Sequence, residues 1–190
     1  ILLFMIAPIF RYRNDIKAFP SQLSAGLMTG VTFLLAGIFS YYCHENLPVV
    51  DYRAYKEGVY LPACTTQAGP DGIPKCKDWY ISFMGDEKVD AFQGKVLLII
   101  AYNMNKADEG AIFQSATLFD ELEGSDIQVL GLTATGPSSL TPLKEKYKLK
   151  YPFGFMDETV LKTIVRSNPG FVLLQDGVIL KKWHHNNQPD

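Results

Sequence analysis

The residues of this 190-residue chain that could do chemistry are few: three cysteines, three histidines and a scatter of acids. Cys64 and Cys76 stand twelve positions apart, and Cys43 lies well upstream, so the sequence holds no Cys-x-x-Cys. A pair at that spacing can be a structural disulfide, an electron-exchanging couple or two free thiols. In an oxidising compartment the disulfide is the default, closing a small loop worth about 3 kcal/mol. His184 and His185 are adjacent, so a strand would point them in different directions, and no cysteine or acid stands at ligand spacing; no metal is expected. The segment AGPDGIPKC has a superficial likeness to a phosphate loop, but no Ser or Thr follows Lys75 and no buried strand precedes it. No Ser/His/Asp arrangement suggests itself, and Asp157-Glu158 reads as a helix start. Residue types alone therefore assign no catalytic residue and call for no cofactor.

The elements that would position these groups fall into two parts. Leu23 to Cys43 is 21 residues without a charge. At 1.5 Å per residue it spans roughly 30 Å, the thickness of a bilayer's hydrocarbon core. Its apolar run is longer than that of a signal peptide, and no small-x-small cleavage site follows. Residues 1–10 read as the end of a preceding transmembrane helix. The loop 11–22 carries Arg11, Arg13 and Lys17 against Asp15. The positive-inside rule makes that loop cytoplasmic, which sends everything after His44 outside the cytoplasm. Tyr41 and Tyr42 then sit at the outer interface, Cys43 is an apolar filler and His44 an interfacial residue. Gly26 and Gly30 form a GxxxG that could let another helix, most simply an upstream one, approach closely.

The rest of the chain holds 15 basic and 19 acidic residues, a balance with no nucleic-acid footprint. Residues 44–78, with four prolines, read as a loop-rich linker. Regular structure is expected from Trp79. WYISF suggests a strand, Gly85-Asp86 a turn, and Lys88 to Ala91 a second short strand. KVLLIIAY is a continuous apolar run typical of a strand buried on both faces. Ala111, Ile112, Ser115, Leu118, Phe119 and Leu122 recur at helical steps, closed by Gly124. IQVLGLTA is another buried strand, Pro137 suits the first turn of a second helix, and Glu158 to Arg166 reads as a short third one. FVLLQDGVILKKW is a hairpin turning at Gln175, Asp176 and Gly177. Strand–helix–strand–helix followed by a hairpin predicts an α/β domain with a central mixed sheet and flanking helices.

That order resembles the thioredoxin-like fold, particularly its TlpA and peroxiredoxin-type branch, from Trp79 to Trp183. The stretches GDEKVDAFQGKVLLIIAY and SNPGFVLLQDGVILKKW carry the likeness. The wider layout resembles DoxX-like or MauE-like membrane proteins of a Bacteroidetes type, through LPVVDYRAY, YPFGFMDETVLKTIVRSNPG and KKWHHNNQPD. The resemblance implies a cis proline at Pro169, after Asn168, beside the active-site position. It places the family's Cys-x-x-Cys at Lys106, Ala107, Asp108 and Glu109, where there is no sulfur. Asp108 and Glu109 instead suit a helix N-terminus as first-turn acids. A thiolate redox centre of the usual kind is therefore not expected there, although the fold can persist without it.

Two functions follow as expectations. One is a redox-inactive binding or scaffold module of a DoxX-like protein in the inner (cytoplasmic) membrane, packed on upstream transmembrane helices. Its soluble domain would be periplasmic, and the groove at 106–109, Asn168 and Pro169 would hold an extracytoplasmic protein or peptide. The other is a thiol-disulfide oxidoreductase using Cys64 and Cys76.

Overall fold

A computed structural model describes residues 25–83 and 89–189 of the chain. It divides into two compact units, Ile1–Tyr42 and Cys43–Asp190. The first unit contributes most of helix α1, Ala25–Glu45, which is apolar from Leu27 onward with a mean hydropathy of 1.3. It is the one helix among the described residues long and apolar enough to cross a membrane. Its side chains from Leu27 to Tyr42 are exposed, and Phe33, Phe39 and Tyr41 are each more than two-thirds accessible. The expected span was 23–43; Leu23 and Ser24 lie outside the described residues, as do the expected preceding helix end and cytoplasmic loop.

The second unit is built on one six-stranded sheet, in the order β1-β4-β3-β2-β5-β6. Its centre is β2, Lys95–Ile100. Lys95 lies opposite Ile127 of the parallel strand β3 (Ile127–Thr133) and opposite Gln175 of the antiparallel strand β5 (Gly170–Gln175). A strand flanked on both edges and covered on both faces is apolar along its buried length, which is why VLLII, after the half-buried Lys95, shows no alternation. Val96, Leu98 and Ile100 feed one core layer, while Leu97 and Ile99 feed the other.

Helix α3, Glu109–Leu122, crosses from β2 to β3 and packs Ile112 into the second layer. Helix α4, Pro137–Tyr147, returns to β4, Phe153–Phe155, and buries Leu140 in the same layer. Helix α5, Glu158–Ile164, covers the first layer with Val160, Leu161 and Ile164. Its start is set by Asp157, whose carboxylate accepts from the amides of Thr159 and Val160. The chain then turns through β5 into β6, Val178–His184, across Asp176 and Gly177, both at positive φ. That pair of left-handed residues is what a two-residue hairpin consistent with strand twist requires.

Strand β1 is only Ser82–Phe83, shorter than the WYISF stretch, and pairs antiparallel with β4. Of the expected strand near 88–91, the described residues Val89 to Ala91 are not strand, and the Gly85-Asp86 turn lies outside the described residues. β4 itself carries no period-2 signal, because three residues around a glycine are too few to show one. Gly154 is held there by space: a Cβ would come within 2.4 Å of Ile81 Cγ2.

The segment 44–78 is not a free linker. It contains a short helix, α2 (Leu61–Thr66), and lays its backbone along β6. Gly58 N donates to Ile179 O at 2.7 Å, Ile179 N to Val59 O at 3.0 Å, and Leu61 N to Gly177 O at 2.8 Å. Tyr55, Leu61 and Cys76 are fully buried against Val96, Leu98 and Ile179 in the first core layer. The lead-in thus covers the outer edge of the last strand, whose unpaired amides would otherwise invite another chain.

Candidate functional site

The C-terminal end of β2 opens into a corner where the expected site residues meet. After Ala101 the chain makes a single 3-10 turn, Met104–Lys106, capped by the Asn103 side chain, which accepts from Asn105 N. Buried Met104 is fixed from below, its amide donating to Thr135 Oγ1 at 2.9 Å. Ala107 then leads into α3, with Asp108 as N-cap accepting from Ala111 N at 2.8 Å. A capping carboxylate satisfies one of the free amides of the helix start and opposes its dipole.

The loop that follows α5 meets this turn. The Asn168-Pro169 bond is cis, as the resemblance implies, and Pro169 is buried. Asp108 N donates to Asn168 O at 2.9 Å, and Asn168 Nδ2 donates to Asn103 O at 2.9 Å. Asn168 Oδ1 is buried without a hydrogen-bond partner. Lys106, Asp108 and Glu109 are exposed, whereas Ala107 is half-buried. Glu109 pairs with Lys146 at 3.0 Å, and that hydrogen bond draws its carboxyl below the ordinary value. All six expected groove residues are therefore in one place: a polar corner with a helix N-terminus, one lysine, two acids and an unpaired amide oxygen. It holds no thiol.

Cys64 and Cys76 are joined as a disulfide, with Cα atoms 5.2 Å apart. The structure does not bring this bridge to the corner. It closes the lead-in on itself: Cys76 N donates to Cys64 O, and the loop between them carries an Ala68–Pro74 bridge. Helix α2 is anchored at Gly177, the turn end of the hairpin, whereas Pro169 immediately precedes the opposite end of β5. Six residues of strand separate those ends by roughly 20 Å. Cys76 is wholly buried, so only Cys64 is within reach of solvent.

Two polar clusters are not legible in the residue pattern. The first binds the lead-in to the sheet. Lys182, with a side chain only 3% exposed, donates from Nζ to Asp51 Oδ2 at 2.9 Å and to Ile164 O, at the end of α5, at 2.7 Å. Arg53 holds the same carboxylate through Nε and Nη2, at 2.8 and 2.9 Å. Burial alone would push the Asp51 carboxyl up, but hydrogen bonds from Arg53 and Lys182 outweigh it and hold the group well below the usual carboxylate range. Burial also lowers Lys182, against the pull of Asp51. Strict alternation from Ile179 would turn Lys181 inward. A bulge in the β5–β6 pairing adds Leu180 as an extra residue and reverses the phase, so Lys182 points in.

The second cluster clamps the proline loop. Ser167 Oγ donates to Pro169 O at 2.5 Å and accepts from His185 N at 2.9 Å. Since its single proton is committed to the carbonyl, the 2.9 Å contact with His185 Nδ1 requires that ring nitrogen to be the donor. Nδ1 of His185 therefore carries a proton. Ser167, buried and with its proton engaged, is a structural hydroxyl and no nucleophile. The neighbouring His184 ring lies 4.1 Å away, and its Nδ1 accepts from Asn186 N at 3.3 Å. Among the described residues no group of three or more His, Cys, Asp or Glu side chains is arranged to hold a metal.

No family model and no curated protein matches the chain. Solved structures do. A candidate thiol-disulfide oxidoreductase from Bacteroides vulgatus is 16% identical with a TM-score of 0.47, covering 64% of this chain and 82% of its own. StoA from Bacillus subtilis is 14% identical at a TM-score of 0.44, covering 55% and 84%. A thiol-disulfide oxidoreductase from Bacteroides fragilis is 17% identical at 0.43, covering 53% and 78%. By its strand order, its crossover helices α3 and α4 on one layer with α5 on the other, and its proline corner, the second unit of this chain has an α/β thioredoxin-like fold, and it follows a helix apolar and long enough to cross a membrane.

Proposed function

We propose that this chain is part of a DoxX-like membrane protein whose thioredoxin-like domain works outside the cytoplasm as a binding module, not as a thiol-disulfide enzyme. The observation that carries the reading is the corner itself. Asp108, Asn168 and Pro169 are locked together at the position the resemblance implies for an active site, yet no sulfur is there, and the disulfide is built into the lead-in. A corner that keeps its backbone geometry without a nucleophile retains the means to hold a partner and loses the means to exchange electrons with it. The partner is a peptide segment of an extracytoplasmic protein. Two features support the location: the basic loop before α1 and the formed disulfide, which suits an oxidising compartment.

The rival reading, electron exchange through Cys64 and Cys76, has one point in its favour: Cys64 is half-exposed. Against it, reduction would leave the Cys76 thiolate inside the apolar layer beside Tyr55 and Leu61. Equilibration of the full chain in graded thiol redox buffers separates the two. A structural bridge stays oxidised to potentials below about −300 mV. A bridge reduced near −200 mV, with disulfide reductase activity lost in Cys64→Ser, would replace the binding reading with the enzymatic one.

A further inference from the structure

The exposed face of α3 and the C-terminal tail enclose a groove of about 840 Å³ that neither the corner nor the disulfide uses. Gln188 pins the tail to the helix, its Nε2 donating to Gln114 Oε1 at 2.6 Å. The groove starts next to the corner, because His185, which lines it, is hydrogen-bonded to Ser167 in the proline loop.

Its chemistry is uneven along its length. Phe113, Thr117 and Glu121 follow one another at four-residue steps, so they form one stripe on the helix. Phe113, nearest the corner, is 63% exposed, a large aromatic surface left open on an otherwise polar helix face. Glu121, about 12 Å further on at 1.5 Å per residue, is a carboxylate, and no lysine or arginine lines the groove to pair with it. His185, which lines the same end, spends Nδ1 on Ser167, and no hydrogen bond among the described residues occupies its Nε2. An aromatic platform beside an imidazole at one end, with a carboxylate that no lysine or arginine of the groove neutralises at the other, is complementary to an extended chain that brings an apolar residue and then a cation. Three to four extended residues cover 12 Å.

We propose that this groove takes the continuation of the peptide seated at the Pro169 corner, and that it selects a basic residue, lysine or arginine, three to four positions along, through Glu121. The inference rests on the binding reading above and adds the partner's chemistry: a cationic extended segment. Like-charged segments are rejected by the same carboxylate.

The test uses the full chain in nanodiscs and two dye-labelled, end-blocked peptides, Ala-Phe-Ala-Ala-Lys-Ala and the same sequence with Glu in place of Lys, titrated by fluorescence anisotropy at low salt. The lysine peptide should bind at least fivefold more tightly than the glutamate peptide. Glu121→Gln, on an exposed helix position, should abolish that preference while leaving the weaker affinity in place. Lys106→Glu at the corner should change both affinities and leave the effect of Glu121→Gln intact. Equal affinity for the two peptides, or a preference that survives Glu121→Gln, overturns the inference and leaves the corner reading standing. A preference that depends on Glu121 but is untouched by any change at 105–109 overturns the corner reading instead. Absence of binding by either peptide overturns both.

Discussion

Replacing Asp51 by Asn tests whether the lead-in is an integral part of the domain. The carboxylate is shared by two cations, and one of them, Lys182, is 3% exposed, while Arg53 Nη1 is already buried without a partner. Asp51→Asn keeps the shape but leaves two facing positive charges out of water. Breaking a buried pair from one side costs about 3–5 kcal/mol. Lys182→Met is a different perturbation. The apolar stem is preserved, Asp51 loses the Lys182 ammonium but keeps its two-pronged contact with Arg53, and the one group left without this donor and without a cation in its place is Ile164 O. An unsatisfied carbonyl of that kind costs about 1–2 kcal/mol. The acid should therefore matter more than the base. The double variant should recover stability relative to Asp51→Asn, because the stranded ammonium is gone. Urea denaturation of the full chain in mild detergent, followed by the fluorescence of Trp79 and Trp183, reads these differences. An Asp51→Asn variant within about 0.5 kcal/mol of the parent, the range of ordinary surface changes, would refute the reasoning, as would Lys182→Met being the more damaging of the two.

Other outcomes follow from the same structure. Removing the bridge as Cys64→Ala/Cys76→Ala should lower stability by about 3 kcal/mol in the same titration, as expected for closure of a loop of this length, without altering the corner. Gly154→Ala should cost about 1–3 kcal/mol, because its Cβ collides with Ile81, just before β1, and crowds Leu132 of β3; a neutral effect would mean that the pairing of β1 with β4 is dispensable. His184 is lowered by burial first and by His185 second, against the opposite pull of Glu45, with His44 adding to the lowering. The unfolded chain then takes up the proton first on acidification. The stability contributed by neutral His184 is complete above about pH 6.5 and is lost as the pH falls towards the lower folded value. Denaturation midpoints should drop across that window in the parent and drop less in His184→Gln.

The central sheet was readable because its signals are strong and local. KVLLII and IQVLGLT are continuous apolar runs, Asp108 and Asp157 are caps, and Asp176-Gly177 is a turn only left-handed residues make. The 44–78 segment was opaque for the opposite reason. Its prolines erase periodicity, and Tyr55, Leu61 and Cys76 are core residues whose spacing follows no element. Lys182 was invisible because one bulge residue, Leu180, inverts the inward face of β6. The corner was located by resemblance, through Pro169 and the GDEKVDAFQGKVLLIIAY stretch, not by chemistry, since no reactive side chain marks it. The clamp of Ser167 by His185 joins residues eighteen apart and leaves no trace in either one's neighbours.

The central claim, that the Pro169 corner and not the disulfide is the working surface, is tested most directly by site-specific photo-crosslinking in cells. A photoreactive residue at Lys106 should give covalent adducts with a discrete partner, undiminished in Cys64→Ser/Cys76→Ser chains. The same probe at Lys75, beside the bridge, should give none. Adducts formed only from Lys75, and lost with the cysteines, would contradict the account.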